Sequence, residues 1–196
     1  MSQFSLFGAA AADPAPADLD GVLLAGGRWV RHGDARSGSA RLSVVVTDRW
    51  RADALAAEFG DRVETGEDVI VAADDGWSVR TAFSSELMSA AARWIRGANE
   101  GPPPGFALTA GGLRLWALAA GERDDAGYLL RTARPDTALH LAAGAQLSRL
   151  GLAAVSLAQR PGPGWRVTST KRVRRLAELV GAPPAGGTAQ WPRPSS

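Results

Sequence analysis

The 196-residue sequence has no cysteine, two histidines and a single lysine, Lys171. Without cysteine there is no disulfide, no thiolate metal site and no cysteine nucleophile, and a cytoplasmic location is the default expectation. No apolar run approaches the ~20 residues that span a bilayer. The first residues also lack the basic segment of a signal peptide, so no membrane partner is expected. His32 lies in a Gly/Arg loop and His140 between apolar neighbours, which suits structural or surface roles. No nucleophile elbow, phosphate loop, dinucleotide fingerprint or HExxH pattern occurs. The chain is therefore not expected to be an enzyme or to hold a metal or cofactor.

What is present is arginine, alanine and glycine in quantity, with 45% hydrophobic residues, enough for a core. The pI of about 9.9 overstates basicity, because the net charge is only +2 and little titrates between the carboxylates and the arginines. Distribution says more than the total. Residues 1–100 carry 10 basic and 15 acidic side chains, and residues 101–196 carry 12 and 5. A basic half beside an acidic half is a hint of a polyanion partner.

An internal repeat organises the chain. Residues 76–98, GWSVRTAFSSELMSAAARWIRGA, match residues 164–182, GWRVTSTKRVRRLAELVGA. Each is a Gly-Trp strand start, a short strand, a Ser/Thr cap and an amphipathic helix ending at Gly-Ala. Upstream, LDGVLLAGG (19–27) pairs with LRLWALAAG (113–121), and residues 40–59 pair with 127–152. Both copies read helix, strand, strand, helix, strand, strand, helix. Asp48, Ser84 or Ser85, and Thr170 are the expected caps, with Gly97 and Gly181 as stops. The expected fold class is α+β, with two pseudo-symmetric α-β-β-α-β-β-α repeats in one body. The expected boundaries are a disordered peptide and linker over 1–16, repeat 1 over 17–98 and a linker, NEGPPPG, over 99–105. Repeat 2 follows over 106–183, and a disordered Pro/Gly/Ser tail over 184–196.

This order, with the nine-residue segments that open each copy, resembles the LAGLIDADG family of homing endonucleases. The second copy is similar to the related domain of WhiA-type actinobacterial regulators. The resemblance implies two motif helices packed at the centre of a saddle, their backbones brought close by small residues. Here these are Gly21, Ala25 and Gly27 in one copy and Ala117, Ala119 and Gly121 in the other. Leu115 stands where the family has its first glycine, which predicts a looser contact there. In the nucleases one carboxylate per motif holds the divalent cations, whereas the corresponding positions here are Gly26 and Ala120. Neither is a metal ligand. Asp20 comes too early in its motif to substitute, and Glu122, Asp124 and Asp125 read as turn residues.

The resemblance also implies binding of double-stranded DNA on the exposed face of the sheet. Alternation assigns the faces. Leu42, Val44 and Val46 turn inward and leave Arg41, Ser43 and Thr47 out; Trp77 and Val79 leave Ser78 and Arg80. In the second copy Trp165 and Val167 leave Arg166 and Thr168, while Val155 and Leu157 leave Ser156 and Arg160. For GYLLRTAR either Arg131 or Arg134 faces out. Lys171, with Arg172, Arg174 and Arg175, is expected to add phosphate contacts from the last helix. Such a protein would be cytoplasmic and nucleoid-associated.

The opening residues, Gln3, Phe4, Ser5, Leu6 and Phe7, resemble the pentapeptide that docks on the bacterial DNA polymerase sliding clamp. In such peptides the Gln amide and the Leu-Phe pair fill two pockets. Residues 9–18, AAAADPAPAD, suit a tether that cannot fold by itself. The expected function is a non-cleaving DNA-binding protein recruited to the clamp in replication or repair. The alternatives are a WhiA-like transcriptional regulator without clamp binding, and an interaction module that no longer binds DNA.

Overall fold

The computed structural model describes residues 13–34, 37–97, 99–132, 137–157 and 162–193. A 3-10 turn, Pro16–Leu19, runs into α1 (Asp20–Leu24). Repeat 1 continues with β1 (Arg28–His32), β2 (Ser39–Val46), α2 (Arg49–Gly60), β3 (Ile70–Ala73), β4 (Gly76–Arg80) and α3 (Met88–Trp94). A short hairpin, β5 (Ile95–Arg96) with β6 (Asn99–Glu100), fills part of the connection expected as a plain linker. Repeat 2 comprises α4 (Ala110–Ala120), β7 (Gly121–Asp124), β8 (Gly127–Arg131), α5 (Thr137–Arg149), β9 (Val155–Leu157), β10 (Gly164–Val167) and α6 (Thr170–Val180). The two repeats share one topology. Their antiparallel sheets have the orders β1-β2-β4-β3 and β7-β8-β10-β9, the same permutation of four strands.

Each sheet buries one face. In β2 the inward residues Leu42, Val44 and Val46 alternate with Arg41, Ser43 and the exposed Val45. They join Val79, Leu55 and Phe59 from the neighbouring strand and from α2 in one core continuous with repeat 2. Gly76 and Gly127 begin β4 and β8 at positive φ, 141° and 144°, where a Cβ would strike the Val46 and Val167 carbonyls. A glycine there lets each hairpin close against its neighbouring strand.

The repeats meet through α1 and α4. A Cβ on Gly21 would run into the Gly112 carbonyl, so the two backbones touch. This corrects the looser contact expected from Leu115: α4 begins at Ala110, capped by Thr109 Oγ1 accepting from Gly112 N at 2.8 Å, and Gly112, one turn earlier, supplies the missing small residue. A relay of ions crosses the same seam. Thr109 donates to Asp18 (2.6 Å), Arg62 Nε lies 2.9 Å from Asp18, Arg62 Nη1 lies 2.7 Å from Glu58, and Glu58 pairs with Arg114. Arg114 then donates to the Val180 and Ala182 carbonyls at the end of α6.

Four expectations about ends change. α3 ends at Trp94 and runs through Ile95 into β5, so Gly97 is not its stop. α3 starts at Met88, beyond Ser84 and Ser85, because Ser84 is used in a bridge to Ala40. Ser169 occupies the N-cap position of α6 without a side-chain cap bond, and Thr170 is already helical. Residues 184–193, expected as the start of a disordered tail, pack back on the domain. Trp191 is buried and its Nε1 donates to Gly181 O at 2.8 Å, and Gly186 and Gly187 lie against Trp50 of α2. Glycines that look unfoldable in sequence here let the chain pass close over Trp50, and Trp191 anchors the far end of the segment.

Candidate nucleic-acid interface

Strand register defines the outer faces, because residues directly opposite in an antiparallel pair share a face. In sheet 1, Ser43 stands opposite both Arg28 and Arg80, Arg41 opposite Val30, and Val45 opposite Ser78. Arg41, Ser43, Ser78 and Arg80 therefore face outward as the alternation predicts. Arg28 joins them. It was missed because β1 is short and exposed, and only its pairing with Ser43 gives it a face.

The chain opposite Arg41 bulges: Thr81 Oγ1 accepts from Leu42 N (3.0 Å), yet Ala40 pairs with Ser84. The extra residue lifts Phe83 onto the outer face, 43% exposed. Arg41 lays its guanidinium 4.5 Å from the Phe83 ring centre, and His32, at the end of β1, meets the same ring edge-on at 6.2 Å. Arg41 Nε has no hydrogen-bond partner. Arg80 Nε lies 3.2 Å from Ser78 Oγ. No ion pair to Arg28, Arg41 or Arg80 occurs among the described residues, although Glu67 and Asp68 line the same depression as Arg41 and Arg80. The arginines of this face are therefore not neutralised by ion pairs among the described residues.

Sheet 2 is different. Its outer face carries Glu122 and Asp124 from β7, Leu129 and Arg131 from β8, and Arg166 from β10. Arg131 pairs with Glu122 and Arg166 with Asp124, both at 2.5 Å. Glu122 and Asp124 are thus not the turn residues expected; they are strand residues that neutralise Arg131 and Arg166. The hairpin turn is displaced to Asp125 and Ala126, and β7 follows directly on α4.

The face assigned to β9 is inverted. Ser156 stands opposite Trp165, and Val155 opposite Arg166. Ser156 meets His140 Nε2 at 2.7 Å, and His140 stacks on Trp165 at 4.7 Å. Trp165 fills the space beside Gly144 of α5, where a Cβ would strike its ring. The large ring goes inward, so its small partner Ser156 follows and Val155 is left 53% exposed. Three residues of alternation in an edge strand had no means of overruling that. Arg134 and Arg160 lie outside the described residues, as do Gln3, Phe4, Ser5, Leu6 and Phe7. Lys171 lies on α6, whose Val173, Leu176 and Val180 join the core on the inner side of sheet 2. The structure does not bring it onto a sheet face.

Arg51 of α2 lies at the end of α4, beside Ala120. It is 6% exposed, and its guanidinium donates to the carbonyls of Leu118 and Gly121 at 2.7 Å each, and to Gln190. Its Nε also meets Asp48 at 3.0 Å. Asp20, the acid nearest the first motif, is buried and holds Trp94 Nε1 at 2.7 Å and Arg93 at 2.9 Å. Burial raises its pKa, against the lowering effect of those two partners. Gly26 has φ of 100°, a backbone region that disfavours a side chain. The residues present do not fit the divalent cations that the resemblance implies. Ala120 has no donor atom, and a buried guanidinium binds the carbonyls on either side of it. Among the described residues there is no group of three His, Cys, Asp or Glu side chains suited to a metal ion, and no helix is long and apolar enough to cross a membrane.

With this geometry in view, two solved structures are informative. One is the homing endonuclease I-WcaI bound to its DNA recognition sequence, with a TM-score of 0.56, 11% identity, and 84% of this chain and 80% of that chain covered. The fold is the LAGLIDADG-like one. Mesophilic variants of the homing endonuclease I-DmoI give a TM-score of 0.52 at 12% identity, covering 85% of this chain and 97% of theirs. No family model and no curated protein matches the sequence.

Proposed function

We propose that this protein binds double-stranded DNA without cleaving it, and that the outer face of sheet 1 makes the principal contact. The observation that carries this reading is the contrast between the two sheets. Arg28, Arg41 and Arg80 have no ion pair among the described residues and share one face of a fold found in DNA-bound nucleases, while Arg131 and Arg166 are held by carboxylates. A planar guanidinium not held by a carboxylate suits phosphate oxygens and guanine edges. The absence of cleavage is supported by Gly26, Ala120 and the guanidinium of Arg51 where the nucleases gather carboxylates around metal. Recruitment to the sliding clamp through Gln3, Ser5, Leu6 and Phe7, in replication or repair, completes the proposal and rests on the sequence motif alone.

Fluorescence anisotropy with a labelled duplex across a salt series tests the DNA reading. Binding should weaken steeply with salt, as counterion release requires. Absence of binding at low salt overturns it and favours a protein partner, for which the exposed Val30, Val45 and Phe83 on the same face are suited. Mg²⁺-dependent cutting of that duplex would overturn the non-cleaving part. Retention by immobilised clamp should be lost in a Leu6→Ala, Phe7→Ala variant; unchanged retention dismisses the motif.

A further inference from the structure

A second group of cations in repeat 2 lies on α6, behind the sheet rather than on it. Lys171, Arg172, Arg174 and Arg175 are all exposed along the outward side of α6. The one carboxylate beside them, Glu178, approaches Arg175 only to 3.7 Å, and both are about half exposed. Together with Gly151 and Ser169 these residues line a shallow concavity. The buried side of the same helix, Val173, Leu176 and Val180, packs into the core shared with Tyr128, Leu130 and Val167, the inner residues of sheet 2. The basic strip therefore faces away from Arg131 and Arg166, with a helix about 10 Å across between the strip and the sheet. Sheet 1 carries Arg28, Arg41 and Arg80 on the face opposite the one that Leu42, Val44 and Val79 bury in the core.

We propose that α6 is a second DNA-binding surface, for a different duplex from the one held on sheet 1, so that a single protein molecule bridges two duplexes. The proposal rests on the DNA-binding reading given above. A duplex is stiff over about 150 base pairs, so the segment lying on sheet 1 does not curl behind the molecule to reach α6. The chemistry of the strip suits a phosphate backbone better than a protein. It has four cations within five residues and no exposed aromatic or large apolar anchor among them. Protein interfaces depend on such anchors, whereas backbone binding needs only cations that displace counterions. Having no base-reading groups in a groove-shaped array, α6 should bind without sequence preference.

The test is capture of a fluorescent duplex by bead-immobilised duplex of unrelated sequence, run beside anisotropy on a single duplex. The full chain is compared with a Lys171→Glu, Arg172→Glu, Arg174→Glu variant and an Arg41→Ala, Arg80→Ala variant. The expected result is capture by the parent protein and a loss of about tenfold or more in the α6 variant. Its single-duplex affinity should stay within about threefold of the parent, because sheet 1 is intact. Binding of one duplex with no capture of a second overturns the bridging proposal and leaves the DNA reading standing. Capture that survives charge reversal on α6 also overturns it, and points to bridging by self-association. Equal losses in capture and single-duplex affinity overturn it as well, placing α6 in the first interface. Absence of any duplex binding by the parent sinks the DNA reading itself, and the bridging proposal with it.

Discussion

Arg51 Nη2 lies 2.7 Å from the carbonyl oxygen of Gly121, 70 residues away in the other repeat. The end of α4 would otherwise leave several carbonyls without donors, and a side chain of α2 supplies them. A cation at a helix C-terminus is also favoured by the helix dipole. Replacing Arg51 by Ala should therefore cost more than a surface arginine does, about 3 kcal/mol or more, since buried carbonyls lose their donors. Urea unfolding of the variant checks this; a loss within about 0.5 kcal/mol, as at ordinary surface sites, would show that the carbonyls are satisfied some other way.

The α1–α4 seam predicts a sharp contrast between two glycines. Gly21→Ala drives a methyl into the Gly112 carbonyl and should cost about 3 kcal/mol or more. Gly66→Ala meets nothing within 4 Å and should stay within about 0.5 kcal/mol. Thermal melts of both variants decide the matter.

The carboxylates of β7 should be suppressing DNA affinity. A Glu122→Gln, Asp124→Asn variant removes the ion pairs to Arg131 and Arg166 while keeping the side-chain shapes. It should bind duplex DNA about tenfold more tightly at low salt, with a salt dependence steeper by about two phosphate contacts. Arg41→Ala, Arg80→Ala should do the reverse. Equal effects of Arg131→Ala, Arg166→Ala in the parent would contradict the assignment of the principal face to sheet 1.

Asp20 predicts a pH signature. Its folded pKa is raised by burial, so its protonated form is favoured in the native state. The associated stability is present below the ordinary Asp pKa of 3.8 and is lost as pH rises through the folded value. Asp20→Asn lacks that titration but keeps an acceptor for Trp94 Nε1. The stability of the Asn variant relative to the parent should therefore increase from acidic towards neutral pH, as read by urea midpoints. A constant difference across the range would mean that Arg93 and Trp94 offset the burial in full.

The repeat, the element order and the faces of β2 and β4 are legible in the sequence because strong local signals agree there. Leu42, Val44 and Val46 alternate over a full strand, and Gly-Trp opens the matching strands of both copies. What escaped was set at a distance. The inward turn of Ser156 depends on Trp165 in the next strand, and the pairing of Arg166 depends on Asp124 beyond another. Gly112 is one of many small residues until α1 is laid against it. The segment 184–193 has the composition of a tail, and only the indole surfaces of Trp50 and Trp191 give it a place.

That segment also bears on how the protein is made. Gln190 meets Arg51 across 139 residues of sequence, and Gly186 rests on Trp50. During synthesis, α2 leaves the ribosome long before either partner exists. Repeat 1 must wait, with an arginine lacking its acceptors and a tryptophan uncovered, until residues 184–193 have emerged. Contacts so distant in sequence slow folding, and the waiting half-chain is the species most exposed to aggregation or to chaperones. Although its two halves repeat one pattern, this chain reaches its native state as a whole, after translation has passed residue 191.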